Sequence, residues 1–314
     1  MRSALLENVC LGVDVGGTNL RCALINPEGV VLGRESLATD IASGRDSFLE
    51  RLLGLLTRLK TDAEAQGRRV VAAGLGVPGL FSNDGILRSS VNLVPLEGLN
   101  LAQFVSAGLG LPAVALNDAN ASAVGERCFG AGRPFASSLM VTLGTGVGAG
   151  LILDSKLWTG IDGVAGEFGH LTVEPNGRRC GCGNRGCLEQ YSSASAIASL
   201  ATSLGVAAGH GRLDAAQVAA LAREGDPKAC AIFEQAGAYL GIAVAGVVNL
   251  LNLEAIILGG GVAESFDLLA PVLRREIRER AFALPGERVQ LLKGELGDDA
   301  GVLGAAASAF SLLN

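Results

Sequence analysis

Apolar residues fall along this chain in short runs broken by glycine turns, and in longer stretches where they return every third or fourth position. Residues 9–15 (VCLGVDV) and 20–25 flank Gly16-Gly17-Thr18-Asn19, which predicts strand, glycine turn, strand. A run at 29–37 continues that sheet, 48–59 has helical spacing, and 70–77 reads as a strand entering Pro78-Gly79. A short helix over 101–109 follows, then a strand over 112–116 ending at Asn117-Asp118, then a helix over 119–129. Residues 136–143 and 147–153 repeat the opening device around Gly144-Thr145-Gly146-Val147-Gly148. The remainder is mostly helical, with segments near 192–204, 214–224, 228–250, 264–280 and 301–313. Strands are expected at 255–258, running into Gly259-Gly260-Gly261, and at 289–292.

Alternating strands and helices give an α/β fold. The repeated strand–glycine turn–strand suggests two related domains, each contributing a hairpin to a shared cleft. A length of 314 residues suits two domains. No Ser- or Pro-rich linker marks the boundary, so the crossing is placed near Asn117: residues 1–117 with about 299–314 in a smaller domain, and 118–298 in a larger one.

Charge and hydropathy narrow the function. A net charge of −6 argues against a nucleic-acid surface, which carries a basic patch. The N-terminus lacks the basic and apolar regions of a secretory leader, so a cytoplasmic protein is expected. The most membrane-like stretch, 241–260, is interrupted by Asn249, Asn252 and Glu254 and reads as a buried helix running into a strand. Of the seven cysteines, Cys10, Cys22, Cys128 and Cys230 are scattered among apolar residues and read as reduced core residues.

The other three cysteines stand in HLTVEPNGRRCGCGNRGCLE, residues 170–189. His170, Cys180, Cys182 and Cys187 offer four soft ligands, with glycines between them that let the backbone fold round one point. A His/Cys₃ set with no open position reads as a structural zinc site, the alternative being reduced thiols that hold no metal. Glu167 and Glu189 flank it, an arrangement suited to a polyhydroxylated ligand. The turns 16–19 and 144–148 expose backbone N–H groups that phosphate oxygens can approach. Neither follows a Walker or dinucleotide pattern, and tight hairpins also need glycine for conformation alone. Asp14, just before the first turn, either caps it or holds Mg²⁺ through water. Asp118 reads equally as a helix N-cap and as a general base for a sugar hydroxyl.

Together DVGGTN (14–19), NDANASAVGE (117–126), LGTGVGAGLI (143–152), GEFGH (166–170) and CGCGNRGCLE (180–189) resemble the ROK family of sugar kinases and repressors, over essentially the whole chain. The resemblance implies the actin-like ATPase (ribonuclease H-like) fold, with two α/β domains about a central cleft. It implies phosphoryl transfer from ATP with Mg²⁺, and a structural Zn²⁺ on His170, Cys180, Cys182 and Cys187. It makes Asp118 the catalytic base and places Asn117, Asp118, Glu167, His170 and Glu189 on the sugar, with Gly79 and Asn92 less firmly matched. Asp14, Gly16, Gly17, Thr18, Asn19, Gly144, Thr145 and Gly146 would serve ATP and its metal, and Gly260 and Gly261 would lie near the adenosine. Glucose is the leading acceptor; N-acetylglucosamine, N-acetylmannosamine, mannose and fructose are alternatives, as is a non-catalytic sugar-sensing regulator. Family repressors carry a DNA-binding segment ahead of this core, for which DVGGTN at residue 14 leaves no room, and a homodimer is expected without nucleic-acid or membrane partners.

Overall fold

The computed structural model describes residues 6–206 and 213–313; positions 1–5 and 314, which the first expected domain includes, lie outside the described residues. The chain divides into two compact units. Unit 1 comprises Met1–Arg133, Leu157–Ala165 and Asp298–Asn314, and unit 2 comprises Pro134–Lys156 and Gly166–Gly297.

Unit 1 opens with β1 (Glu7–Val15), β2 (Asn19–Ile25) and β3 (Val31–Ala38), a meander whose inward residues are apolar. Helix α1 (Arg45–Ala65) follows and buries Phe48, Leu52, Leu55, Leu56 and Leu59, the one-sided spacing of an amphipathic helix. Next come β4 (Arg68–Val77) and a small hairpin of β5 (Leu80–Phe81) and β6 (Leu87–Ser89), which the apolar pattern did not reveal. Helix α2 (Leu101–Leu109) starts where the Asn100 side chain accepts from the Gln103 N–H and stops at left-handed Gly110. Strand β7 (Ala113–Asn117) leads straight into α3 (Asp118–Phe129). The sheet order is β3-β2-β1-β4-β7. Its first three strands are antiparallel, whereas β4 and β7 run parallel to β1.

Unit 2 repeats the plan with β8 (Ser138–Leu143) and β9 (Val147–Leu153), followed by β10 (Lys156–Trp158), which runs on into the 157–165 segment counted with unit 1. The short α4 (Glu189–Ser192), α5 (Ala194–Ser203) and α6 (Ala215–Arg223) precede the long α7 (Pro227–Leu251). Then come β11 (Ala255–Gly259), α8 (Phe266–Arg280), the short α9 (Ala283–Arg288) and β12 (Gln290–Lys293). The sheet order, β10-β9-β8-β11-β12, matches that of unit 1 strand for strand. Among the described residues α7 alone is long and apolar enough to cross a membrane, and Phe233, Leu240, Val244 and Val248 spend its apolar side on the unit 2 core. It ends at Asn252, a left-handed C-cap at φ 52°, so the chain turns directly into β11.

The last helix, α10 (Ala300–Phe310), returns to unit 1 and packs on α3. Glycine makes this possible: a Cβ at Gly125 or Gly304 would run into the backbone of the facing helix. Cys10 and Cys22 are buried in the first sheet as expected. Cys128 and Cys230 are not core residues but exposed, because each falls on the solvent side of its helix.

Candidate active site and metal centre

In unit 1 the expected site residues cluster where β1, β4 and β7 end. Asp14 pairs across the sheet with Arg21 and is half-buried. Burial pushes its carboxyl up to about 6, with the charge of Asp118 adding to the rise and Arg21 opposing it. The 16–19 turn closes through Gly16 N–H to the Asn19 carbonyl at 2.9 Å. Thr39, fully buried, clamps it: its hydroxyl donates to the Gly16 carbonyl at 2.6 Å, and its N–H to the Thr18 carbonyl at 2.8 Å. Gly17, Thr18 and Asn19 are left exposed at the tip. The Asn92 side chain stands over Gly17, 3.5 Å from where a Cβ would sit.

Asn117 and Asp118 divide the labour at the β7–α3 junction. Asn117, and not Asp118, is the N-cap: its side-chain oxygen accepts from the Ala119 and Asn120 N–H groups at 2.9 and 3.1 Å. Its amide donates to the Gly79 carbonyl at 3.1 Å, tying the helix start to a glycine whose φ of 140° excludes a side chain. The alternative role for Asp118, the cap, is thus filled by its neighbour. Asp118 accepts from the Ala119 N–H at 2.9 Å, and burial pushes its carboxyl above the ordinary aspartate range against the opposing pull of its hydrogen bonds. A half-buried carboxylate with a raised pKa at the end of a parallel strand can take a proton from a hydroxyl.

Unit 2 holds the remaining residues. The 144–148 turn closes through Gly144 N–H to the Gly146 carbonyl at 3.0 Å, leaving Thr145 exposed. Glu189, at the start of α4, reaches this turn and accepts from the Val147 N–H at 3.1 Å. A Cβ at Gly146 would meet the end of the Glu189 side chain, so the carboxylate holds its place on the turn only while position 146 is glycine. Gly260, at φ 79°, presses on β8, where a Cβ would lie 2.6 Å from the Leu143 carbonyl; Gly261 faces open space.

His170, Cys180, Cys182 and Cys187 converge, with ligand atoms all within 4.8 Å of one another. The Cys180 sulfur lies 3.7 Å from His170 Nδ1, and the Cys182 and Cys187 sulfurs lie 3.7 Å apart. Tetrahedral zinc with bonds of about 2.0–2.3 Å spaces its ligands roughly 3.3–3.8 Å apart, so the donor set fits in both chemistry and reach. Burial pushes the Cys187 thiol up to about 12, so a cation is what would hold it as thiolate at neutral pH. The other ring nitrogen of His170 is 3.8 Å from Glu167, which links the metal set to an acid expected on the sugar. Arg178 stacks on Tyr191 at 5.0 Å and donates to the Gln190 carbonyl at 2.8 Å, pinning the loop to α4.

Sequence patterns missed Thr39, Arg178, Tyr191 and Asn120. Thr39 and the Arg178–Tyr191 pair act through partners distant in the chain and leave no local signal. Asn120 did leave one: a poor helix former inside the first turn of a predicted helix asks for a reason.

A model of the ROK family matches residues 10–311. The glucokinase of Thermotoga maritima is 33% identical over 310 residues, covering 95% of this chain and 96% of that one. The xylose repressor of Bacillus subtilis is 30% identical over 303 residues, covering 95% of this chain and 76% of its own. Among solved structures, a ROK family glucokinase from Streptomyces griseus in complex with glucose and AMPPNP has a TM-score of 0.80 at 32% identity, covering 96% of this chain and 99% of that one.

Proposed function

This chain belongs to the ROK family, with the actin-like ATPase fold in two α/β units, and from that premise we propose that it is an ATP-dependent sugar kinase. It moves the γ-phosphoryl group of ATP to a hexose hydroxyl, with glucose yielding glucose 6-phosphate as the leading reaction. The observation that carries this over the regulator reading is the Asn117/Asp118 division: the cap is supplied by Asn117, so Asp118 is held in place and keeps a carboxylate of raised pKa for proton transfer. A sugar sensor needs no proton acceptor.

In this proposal Asp118 takes the proton of the attacking hydroxyl, while Asn117 fixes Asp118 and the Gly79 carbonyl in place. Glu167, His170 and Glu189 hold sugar hydroxyls, and Gly79 and Asn92 also serve the sugar. The exposed tips at 16–19 and 144–146 hold phosphates, with Gly260 and Gly261 beside the adenosine. Asp14 orients Mg²⁺, which supplies charge neutralisation as the phosphoryl group moves. Zinc on His170, Cys180, Cys182 and Cys187 shapes the loop and takes no chemical part. The protein works in the cytoplasm as a homodimer. Exposed Leu250, Phe282 and Leu284 support pairing, since Asn249 bonds the Arg280 carbonyl and Phe282 N–H and holds that apolar corner together. Light scattering at micromolar concentration should return twice the chain mass; a monomer overturns the dimer.

The decisive assay is hexose-dependent ADP release with ATP and Mg²⁺ across glucose, mannose, fructose and the two N-acetylhexosamines. Release with glucose at the highest kcat/KM is expected. No release with any of them overturns the kinase reading, and sugar-sensitive DNA binding by the full chain would replace it with the regulator.

A further inference from the structure

We infer that Gly301, in the first turn of α10, is a positioning residue for Asp14: its missing side chain leaves the space in which the Asp14 carboxylate stands ready for the nucleotide's metal ion. This rests on the kinase reading above, in which Asp14 orients Mg²⁺. Both residues belong to unit 1.

The geometry begins on β1. Gly12 and Asp14 stand two positions apart and so point to the same face of the strand, the face that meets α10. A Cβ on Gly12 would run into the Val302 carbonyl, so strand and helix approach there backbone to backbone, which brings position 301 onto Asp14. A Cβ on Gly301 would lie 3.2 Å from Asp14 Cγ, 3.3 Å from its Oδ1 and 3.5 Å from its Cβ. The first of these is tighter than the roughly 3.5–4.0 Å at which nonbonded carbons rest. All three nearest atoms belong to Asp14.

The helix itself gives no reason for glycine at 301. α10 reads AGVLGAAASAF, rich in alanine, and glycine weakens a helix relative to alanine. The backbone at 301 is not left-handed, so no turn demands glycine either. The other glycine of the helix, Gly304, is accounted for by packing, since a Cβ there would strike the Ala121 carbonyl of α3. At Gly301 the obstacle is a side chain, and it is the acid assigned to the metal.

Asp14 depends on this packing because no polar partner grips its carboxylate. Its cross-strand neighbour Arg21 turns to Asp298 at 3.2 Å, and Arg34 takes both oxygens of Asp299 at 2.5 and 2.6 Å, so the two arginines fasten the start of α10 to β2 and β3. Among the described residues no side-chain hydrogen bond or ion pair reaches the Asp14 carboxylate. It offers the hard oxygens that Mg²⁺ takes, and the wall behind them sets their place.

The test reads metal as well as turnover. The full chain is titrated with Mn²⁺ in the presence of AMPPNP and glucose, with free Mn²⁺ followed by electron paramagnetic resonance. Gly301→Ala should weaken Mn²⁺ binding by roughly 10-fold, as expected when the support of a metal-holding acid is disturbed. The Mg²⁺ dependence of ADP release should shift by the same factor, with the sugar KM unchanged. The variant should melt no lower than wild type, because the unbonded carboxylate can yield and alanine favours the helix. In an Asp14→Ala background the same substitution should leave Mn²⁺ affinity within about 2-fold, since the contact it acts through is gone. Ser308→Ala, two turns further along α10, should match wild type. Should Gly301→Ala fold poorly by itself, adding Asp14→Ala should restore its melting temperature, and no restoration overturns the inference. So does unchanged Mn²⁺ affinity in Gly301→Ala, an equal loss in the Asp14→Ala background or in Ser308→Ala, or a wild type that holds no Mn²⁺. Wild type that holds Mn²⁺ with AMPPNP yet releases no ADP with any sugar defeats the kinase reading while the cycle still decides Gly301; normal ADP release with unchanged Mn²⁺ affinity in Gly301→Ala defeats the positioning role alone.

Discussion

The two units share one sheet plan, with a strand–turn–strand hairpin at the same place in each, yet the hairpin turns are held differently. In unit 1, buried Thr39 grips the 16–19 turn from behind and leaves its tip uncovered. In unit 2, the Glu189 carboxylate sits on the turn itself, on the Val147 N–H, and comes from the helix that directly follows the cysteine loop. A neutral clamp leaves the first tip open, whereas in the second turn the acid takes the Val147 N–H and leaves Thr145 exposed at the tip. The same backbone device is thereby held in two ways, and unit 2 stakes its version on a loop with little regular structure. That difference orders the predictions.

The largest effect should come from the cysteine loop. Protein purified without chelator should hold one equivalent of zinc, and Cys182→Ser should lose it. Structural zinc contributes about 10 kcal/mol or more in small sites, so its loss should disorder 170–187 and release Glu189 from the turn. Turnover should vanish, and hydrogen exchange should rise at 144–148 but not at 16–19. Full zinc retention in Cys182→Ser, or equal changes at both turns, contradicts this.

Asp118→Asn comes next. Turnover should fall by roughly 10²–10⁴-fold, the contribution of a positioned base, with sugar affinity changing far less. Asn117 still caps α3, so the helix is not at risk. Because the Asp118 and Asp14 carboxyls are raised in the fold, their ionisation opposes folding: the stability they give is complete below the unfolded value of about 3.9 and is lost as pH rises through the folded one, about 6 for Asp14. At pH 7 the variant should therefore melt slightly above wild type, and the gap should close towards pH 4. Wild-type kcat/KM should fall on acidification above the ordinary aspartate range, while the residual rate of Asp118→Asn should not follow that limb.

How much of this was visible in the chain follows the range of the interactions. Both hairpins, all the long helices and the convergence of His170 with the three cysteines rest on local spacing, and 101–109 was placed to the residue. The β5–β6 hairpin was not, because Leu80–Phe81 and Leu87–Ser89 are too short to show alternation and take their order from packing. The β7–α3 junction shows the limit best. Asn117-Asp118 offers two capping residues in succession, and only the fold decides that Asn117 takes the cap and frees Asp118. Likewise nothing near residue 39 signals its contact with residue 16.

Paired glycine substitutions sharpen the contrast. A Cβ on Gly17 meets only ordinary contacts, 3.5 Å from Asn92, so Gly17→Ala should change stability by no more than about 0.5 kcal/mol. A Cβ on Gly146 must push the Glu189 carboxylate off the Val147 N–H. Gly146→Ala should therefore cost about 1–3 kcal/mol through the displaced, partly buried acid. Its sugar KM should rise, whereas Gly17→Ala should raise the ATP KM. The reverse pattern would contradict the placement of Glu189 on the sugar.

The smallest effect belongs to the clamp behind the first turn. Thr39→Val keeps shape and the N–H bond to the Thr18 carbonyl but removes the hydroxyl donated to Gly16. The Gly16 carbonyl then loses a partner in a buried place, which should cost about 1 kcal/mol, visible as a small fall in melting temperature. If the clamp serves to present the tip to phosphate, the ATP KM should rise a few-fold while sugar affinity stays put. Thr39→Ser, which restores the hydroxyl, should recover the ATP KM even though it leaves a methyl-sized gap. Recovery of stability without recovery of ATP affinity would make Thr39 a packing residue only. A matching loss of sugar affinity would mean that the first turn does not act on phosphate alone.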